Sequence, residues 1–202
     1  MKFIYKYNGI YKFKMFCLDC KKAVNLLYKN NICYDCGEIT CYKCGEKSLK
    51  NCCSKNKKIN KINKLKNILE KSPNHKNKIL IYYKIGLEYS FKKDIKNTFE
   101  NELKAAKLGL PVAQFFIAGV YFKGIEPLET PDFEKARHWF TISLENGYPN
   151  SAYYLGLIYE RGNGVIKDEY RASTFYTYGY TLGSKNCKEK YLNRLSVNKG
   201  FI

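Results

Sequence analysis

The chain has 202 residues, 36 Lys+Arg against 18 Asp+Glu for a net charge of +18, and 9 Cys, a length that allows one domain or two small ones. The charge is unevenly spread: residues 1–78 hold 19 Lys against 5 Asp+Glu, residues 79–202 hold 17 Lys+Arg against 13 Asp+Glu, and all four Arg lie in the second part. An excess carried by Lys alone argues against sequence-specific nucleic-acid readout, which draws on the bidentate guanidinium fork, although diffuse attraction to phosphate remains.

No apolar run approaches the roughly 18 residues of a membrane span. The opening MKFIYKYNGIYKFKMF breaks each apolar stretch with Lys or Asn before a signal-peptide core forms. The protein is therefore expected to be intracellular, in the cytoplasm or the nucleus, without a membrane span. In that reducing setting clustered cysteines are expected to hold metal and not to pair as disulfides.

Three domains are expected: residues 1–53, a Cys-rich zinc-binding module; 54–78, a Lys/Asn-rich connecting helix or linker; and 79–202, a helical repeat solenoid. In residues 1–16, Phe3, Tyr5 and Tyr7 alternate with polar residues, as do Ile10, Tyr11 and Phe13 beyond Asn8-Gly9, which predicts a small β-hairpin. Residues 17–53 follow with eight cysteines: Cys17-x2-Cys20, Cys33-x2-Cys36, Cys41-x2-Cys44 and the adjacent Cys52 and Cys53. A Cys-x2-Cys turn places two thiolates about one tetrahedral ion, so the eight suffice for two structural zinc sites. A segment this small buries little core, whereas structural zinc supplies ~10–16 kcal/mol of apparent binding energy per site. An all-Cys shell is closed to substrate, and neither His75 nor His138 lies in the cluster. The run CYDCGEITCYKCGEKSLKNCC is similar to the tail of an in-between-RING zinc domain at Cys33, Cys36, Cys41, Cys44 and Cys53, but the usual His before the final Cys is missing.

In residues 54–78, Ile59, Ile62, Leu65, Ile68 and Leu69 recur at helical spacing until Pro73, which predicts a short amphipathic helix and then a turn. A repeat follows. Ile81–Tyr89, Ala113–Tyr121 and Ser151–Tyr159 carry aromatic, aliphatic, small and aromatic residues in one order, with Gly86, Ala118 and Gly156 at the small position. A mid-helix Gly costs about 1 kcal/mol of propensity relative to Ala, a cost expected where another helix approaches closely. Each first helix is followed by a second, from Asp94 to Gly109, Asp132 to Gly147 and Asp168 to Gly183, each pair 15 residues apart and ending on Gly where a left-handed helix end favours it. In the middle unit Thr130 is a candidate cap, Pro131 suits the first turn, and Ala136, Trp139, Phe140 and Ser143 share a face. Tyr89, Tyr121, Tyr159, Trp139 and Phe175 are expected to be core, and Cys187 stands at the small-residue slot of Ala113 and Ser151.

This order resembles the Sel-one-like repeat, a relative of the tetratricopeptide repeat, over about residues 78–196. The segments AQFFIAGVYFKG with DFEKARHWFTISLENG, and SAYYLGLIYERGNGV with DEYRASTFYTYGYTLG, carry the motif. In the first unit Asn101 and Glu102 replace the aromatic pairs Trp139-Phe140 and Phe175-Tyr176. The resemblance implies a mainly α chain, an α/α superhelical solenoid of about three helical hairpins, preceded here by the small zinc-binding α+β domain. A final capping helix would use Tyr191, Leu192 and Leu195 to cover the last hairpin.

Known members of the family generally act as protein-interaction scaffolds, so the resemblance implies a non-enzymatic adaptor with protein partners. Gln114, Lys84, Tyr154 and Glu160 are candidate partner contacts. No Ser/His/Asp grouping, phosphate-cradling Gly loop or spaced pair of acids suggests catalysis. The alternatives are a nucleic-acid-binding zinc module tethered to an interaction scaffold, and a ubiquitin-pathway component.

Overall fold

The computed structural model of the chain describes residues 61–199, with side chains to residue 195, and the backbone of five short strands before them. The chain divides into two compact units, Met1–Leu110 and Pro111–Ile202. In the first, β1 (Phe3–Tyr7) pairs antiparallel with β2 (Ile10–Phe16), Tyr7 opposite Ile10, as a hairpin about Asn8-Gly9 requires. β3 (Ala23–Val24) pairs with β2, and β4 (Asn31–Ile32) with β5 (Ile39–Thr40). The metal-ligand candidates Cys17, Cys20, Cys33, Cys36, Cys41, Cys44, Cys52 and Cys53 lie outside the described residues.

Eight helices occupy the described residues from Lys61 onward. α1 (Lys61–Lys71) is the amphipathic helix expected from the Ile/Leu spacing, and it is packed: Ile62 and Leu65 are buried. The Lys66 ammonium donates to the Tyr89 hydroxyl at 2.9 Å and lies 5.4 Å from that ring's centroid, fastening α1 to α2 (Lys78–Phe91). α2 and α3 (Ile95–Lys107) form the first hairpin. The second unit holds α4 (Pro111–Lys123) with α5 (Phe133–Glu145), α6 (Asn150–Arg161) with α7 (Glu169–Thr181), and then α8 (Lys185–Lys199). No helix among the described residues is long and apolar enough to cross a membrane.

The second helix of every hairpin begins and ends by the same chemistry. Asp94, Asp132 and Asp168 are its N-caps, each carboxylate accepting the backbone N–H three residues on, from Asn97, Lys135 and Arg171. In the middle unit Asp132 thus holds the cap that the sequence suggested for Thr130, because its carboxylate sits one step before the first helical turn. At the other end Gly109, Gly147 and Gly183 have φ of 94°, 88° and 90°, the left-handed region that a Cβ disfavours. Each closes a pair of reversed bonds, such as Gly147 N–H to Leu144 C=O at 2.9 Å and Tyr148 N–H to Ser143 C=O at 3.0 Å, which satisfy carbonyls of the helix's last turn.

The core of the second unit joins Ala118, Ala136, Phe140, Leu144, Ala152, Leu155, Ile158, Ala172, Tyr176 and Cys187. Trp139, Tyr121, Tyr159 and Phe175 are half-buried and pack against it; Phe140 and Tyr176 are its fully buried aromatic residues. Small residues occur where helices meet. A Cβ on Gly156 of α6 would lie within 2.8 Å of three ring carbons of Tyr176 on α7. One on Gly179 would meet Cys187 of α8 and, at 2.8 Å, Ala152 Cβ of α6, so Cys187 fills the small-residue slot at a junction of three helices. Between hairpins a buried polar chain runs from Ser151 to Ser143 to the Pro111 carbonyl, both bonds 2.9 Å.

The first hairpin keeps the backbone plan and changes the filling. Thr98, Asn101 and Glu102, all buried, stand where the middle unit has Ala136, Trp139 and Phe140. Thr98 and Asn101 bond back to the carbonyls of Asp94 and Asn97 at 2.7 and 2.8 Å. Among the described residues Glu102 Oε2 has no partner, and burial raises this carboxyl to about 8. Gly86 faces it at the position where Gly156 faces Tyr176: a Cβ there would lie 3.1 Å from Glu102 Cγ.

Candidate partner-binding surface

Between α6, the start of α7 and α8 runs a groove of about 630 Å³ lined by Tyr153, Glu160, Tyr170, Asn186, Lys190 and Arg194 among others. Its construction follows from one exchange of residues. The middle hairpin pairs Phe122 with Phe140 across its interior, ring centroids 6.2 Å apart; the last hairpin has Glu160 and Tyr176 at these positions, and the Tyr176 hydroxyl donates to Glu160 Oε2 at 2.8 Å.

That carboxylate gathers cations from α8. Lys190 Nζ lies 2.9 Å from Glu160 Oε2, Arg194 Nη2 lies 3.3 Å from Oε1 and 2.5 Å from Glu169 Oε2, and both cations stand over the Tyr176 ring at 5.6 and 5.1 Å. Burial pushes the Glu160 carboxyl up, but hydrogen bonds from Lys190 and Tyr176, with the charges of Lys190 and Arg194, outweigh it and hold the group below the usual range. Burial, followed by the bond to Glu160, pushes the Tyr176 phenol well above its ordinary value. The closing helix is thus fastened by a polar latch around one buried ring. Its apolar cover is smaller than the sequence suggested: Tyr191 stacks on Tyr180 at 5.2 Å, whereas Leu192 and Leu195 are exposed. The latch fills the groove's floor with charge already paired, leaving Tyr170, 84% exposed, as the aromatic residue on its rim.

The sequence-level partner contacts separate by environment. Glu160 lines the groove. Gln114 is buried, accepting from Asn146 Nδ2 at 2.9 Å. Tyr154 stacks on Phe140 at 4.9 Å and belongs to the packing. Lys84 lies in the first unit, partly buried on α2. Tyr153 and Tyr170 escaped notice because the repeat pattern assigns the aromatic stripe to core, and neighbours on α8 decide which rings stay open. No group of three or more His, Cys, Asp or Glu side chains among the described residues is arranged to hold a metal.

In the second unit the surface is carried by successive α-helical hairpins whose adjoining helices are spaced by Gly, Ala and Ser. Residues 111–148 and 149–184 match the Sel1 repeat. The two match boundaries coincide with the two hairpins α4–α5 and α6–α7, and the polar first hairpin lies outside them. Among solved structures, the chain is similar to a Sel1 repeat protein from Oxalobacter formigenes, with TM-score 0.60 and 24% identity over 69% of this chain and 56% of that one. It is also similar to a protective antigen present in uropathogenic Escherichia coli strains that displays an SLR fold, with TM-score 0.56 and 20% identity over 65% of this chain and 27% of that one. At these identities the likeness is one of fold, and the chain spans about half or less of the length of these proteins.

Proposed function

We propose that this protein is a non-enzymatic adaptor in which the Sel1 repeat stack binds another protein through the groove beside α8. The observation that supports this reading is the groove itself: Glu160, Glu169, Lys190 and Arg194 on its floor are paired with one another and its rim presents Tyr170, a combination suited to a peptide surface. Stacks of this repeat typically serve as protein-interaction scaffolds. In the same reading the front half is a structural zinc module of two ions held by Cys17, Cys20, Cys33, Cys36, Cys41, Cys44, Cys52 and Cys53, a reading that rests on their spacing alone.

The test is affinity capture from the native cell with the wild-type chain and with Tyr170→Glu, whose exposed position leaves the fold intact by circular dichroism. A partner retained by the first and lost by the second is the expected result. Capture unaffected by Tyr170→Glu removes the groove from the account. Salt-sensitive binding to RNA or DNA that disappears when Lys55, Lys57, Lys58 and Lys61 are neutralised would replace it with a nucleic-acid module. Metal analysis of the purified chain should find about two zinc from the ligand count; a metal-free, folded front half contradicts that part.

A further inference from the structure

A second cleft of about 430 Å³ lies between α5 and the α6–α7 connection, lined by Arg137, Tyr159, Val165, Ile166, Lys167, Asp168 and Arg171. Three of its seven lining residues are cations and one is an acid. Two of the cations have a carboxylate partner: Lys167 lies 3.2 Å from Glu169, which it shares with Arg194, and Arg171 pairs with Asp168 at 3.2 Å while lying over the Tyr159 ring at 5.5 Å. Arg137 has none. Its Nε is buried without a hydrogen-bond partner, and its guanidinium makes no ion pair among the described residues.

Packing gives no reason for an arginine there. The corresponding positions of the other second helices, counted from their capping Asp, are Phe99 and Ser173. A buried Nε without an acceptor forfeits a hydrogen bond that would offset its burial, and a carboxylate matches the two terminal Nη groups with two parallel bonds. The remaining wall is apolar, with Tyr159, Val165 and Ile166, the last 91% exposed. A guanidinium without an ion pair, beside an aliphatic ledge, suits a monoanionic carboxylate carried by an apolar chain, whereas a free phosphate dianion makes no use of the ledge.

We propose that this cleft receives an acidic side chain of a protein partner, Glu or Asp next to an aliphatic residue, with Arg137 as the carboxylate receptor and Ile166 as the apolar contact. This rests on the scaffold reading above and gives it a chemical specificity.

The full chain carries four arginines, so arginine-labelled protein gives a short set of Nε–Hε resonances, with that of Arg137 assigned by its loss in Arg137→Lys. The probes are acetyl-Leu-Glu-Leu-amide, its Gln analogue and inorganic phosphate. The glutamyl peptide should shift the Arg137 signal saturably, the Gln peptide should bind at least about tenfold more weakly, as expected for loss of a charge-assisted bond, and phosphate should leave the signal in place. Ile166→Ser, at an exposed position that leaves the fold unchanged, should weaken the peptide without abolishing the shift. Equal response to the Glu and Gln peptides, a response to phosphate as strong as to peptide, or no shift at millimolar peptide each overturns the proposal. Failure here leaves the groove intact, since the groove is tested by Tyr170→Glu and the cleft by Arg137.

Discussion

Replacing Gly156 by Ala tests the packing of the repeat directly, because the added methyl has a defined obstacle. A Cβ would fall within 2.8 Å of three carbons of the Tyr176 ring, and the ring cannot simply withdraw: it is fully buried, its hydroxyl bonds Glu160 at 2.8 Å, and Lys190 and Arg194 cover its face. Overpacking of this kind costs about 1–3 kcal/mol, with the upper end expected for a rigid ring, and a disturbed bond to a charged group adds about 1 kcal/mol. Ala recovers about 1 kcal/mol of helix propensity. The net is a loss of about 2–3 kcal/mol, or a fall in Tm of roughly 4–12 °C for a chain of this size. Gly119 is the internal control: it lies in the middle of α4 with nothing within 4 Å of the Cβ site. Gly119→Ala should therefore stabilise by up to about 1 kcal/mol. Thermal and urea melts followed by far-ultraviolet circular dichroism read both variants. If Gly156→Ala matches or exceeds Gly119→Ala in stability, the close crossing of α6 and α7 is wrong.

The buried Glu102 makes stability depend on pH. Its folded value is about 8 against an ordinary 4.5, so the native state holds a proton that the unfolded state has released, and stability falls as pH rises between these values. At about 1.4 kcal/mol per pH unit the full fall is about 4–5 kcal/mol; Glu102→Gln should flatten it, and an unchanged pH profile by urea melts contradicts the buried carboxyl. The latch acts in the other direction. Glu160 has a depressed value, so its contribution is present above the ordinary carboxylate range and lost as pH falls through the folded value. Glu160→Gln, or high salt, should loosen α8 and speed alkylation of the buried Cys187 several-fold, located by peptide mass spectrometry; Cys187 equally protected in both chains sinks the latch. Asp132→Ala should cost about 1 kcal/mol in melts through loss of the α5 cap, whereas Thr130→Ala should cost a few tenths at most.

The repeat was readable because its signals are local and recur. An Asp that caps and a Gly that ends stand 15 residues apart in every unit, a small residue recurs at one place in each first helix, and all of them land in the structure where the pattern puts them. Thr130 misled because two residue types that cap helices stand two positions apart, and only backbone geometry decides between them. The groove and the cleft are not legible in the sequence for a different reason. Tyr170 is exposed and Tyr154 is stacked in the packing although both are tyrosines on repeat helices, and what separates them is the placement of α8 and of Phe140. The same holds for Arg137: its sequence position is ordinary, and it stands out only because its neighbours pair with one another and leave it without a partner. Leu192 and Leu195 fit the pattern of cover for the last hairpin, but the helix turns Cys187 inward, stacks Tyr191 on Tyr180 and adds Lys190 and Arg194 to its attachment.

The central claim, that the repeat stack binds a protein partner through the groove beside α8, is most directly tested by a photo-crosslinking amino acid placed at Tyr170 and, separately, at the exposed Phe116 of α4, in the native cell. The account predicts a discrete crosslinked partner from Tyr170 and little or none from Phe116. Equal crosslinking from both positions, or a discrete partner from Phe116 alone, would contradict it.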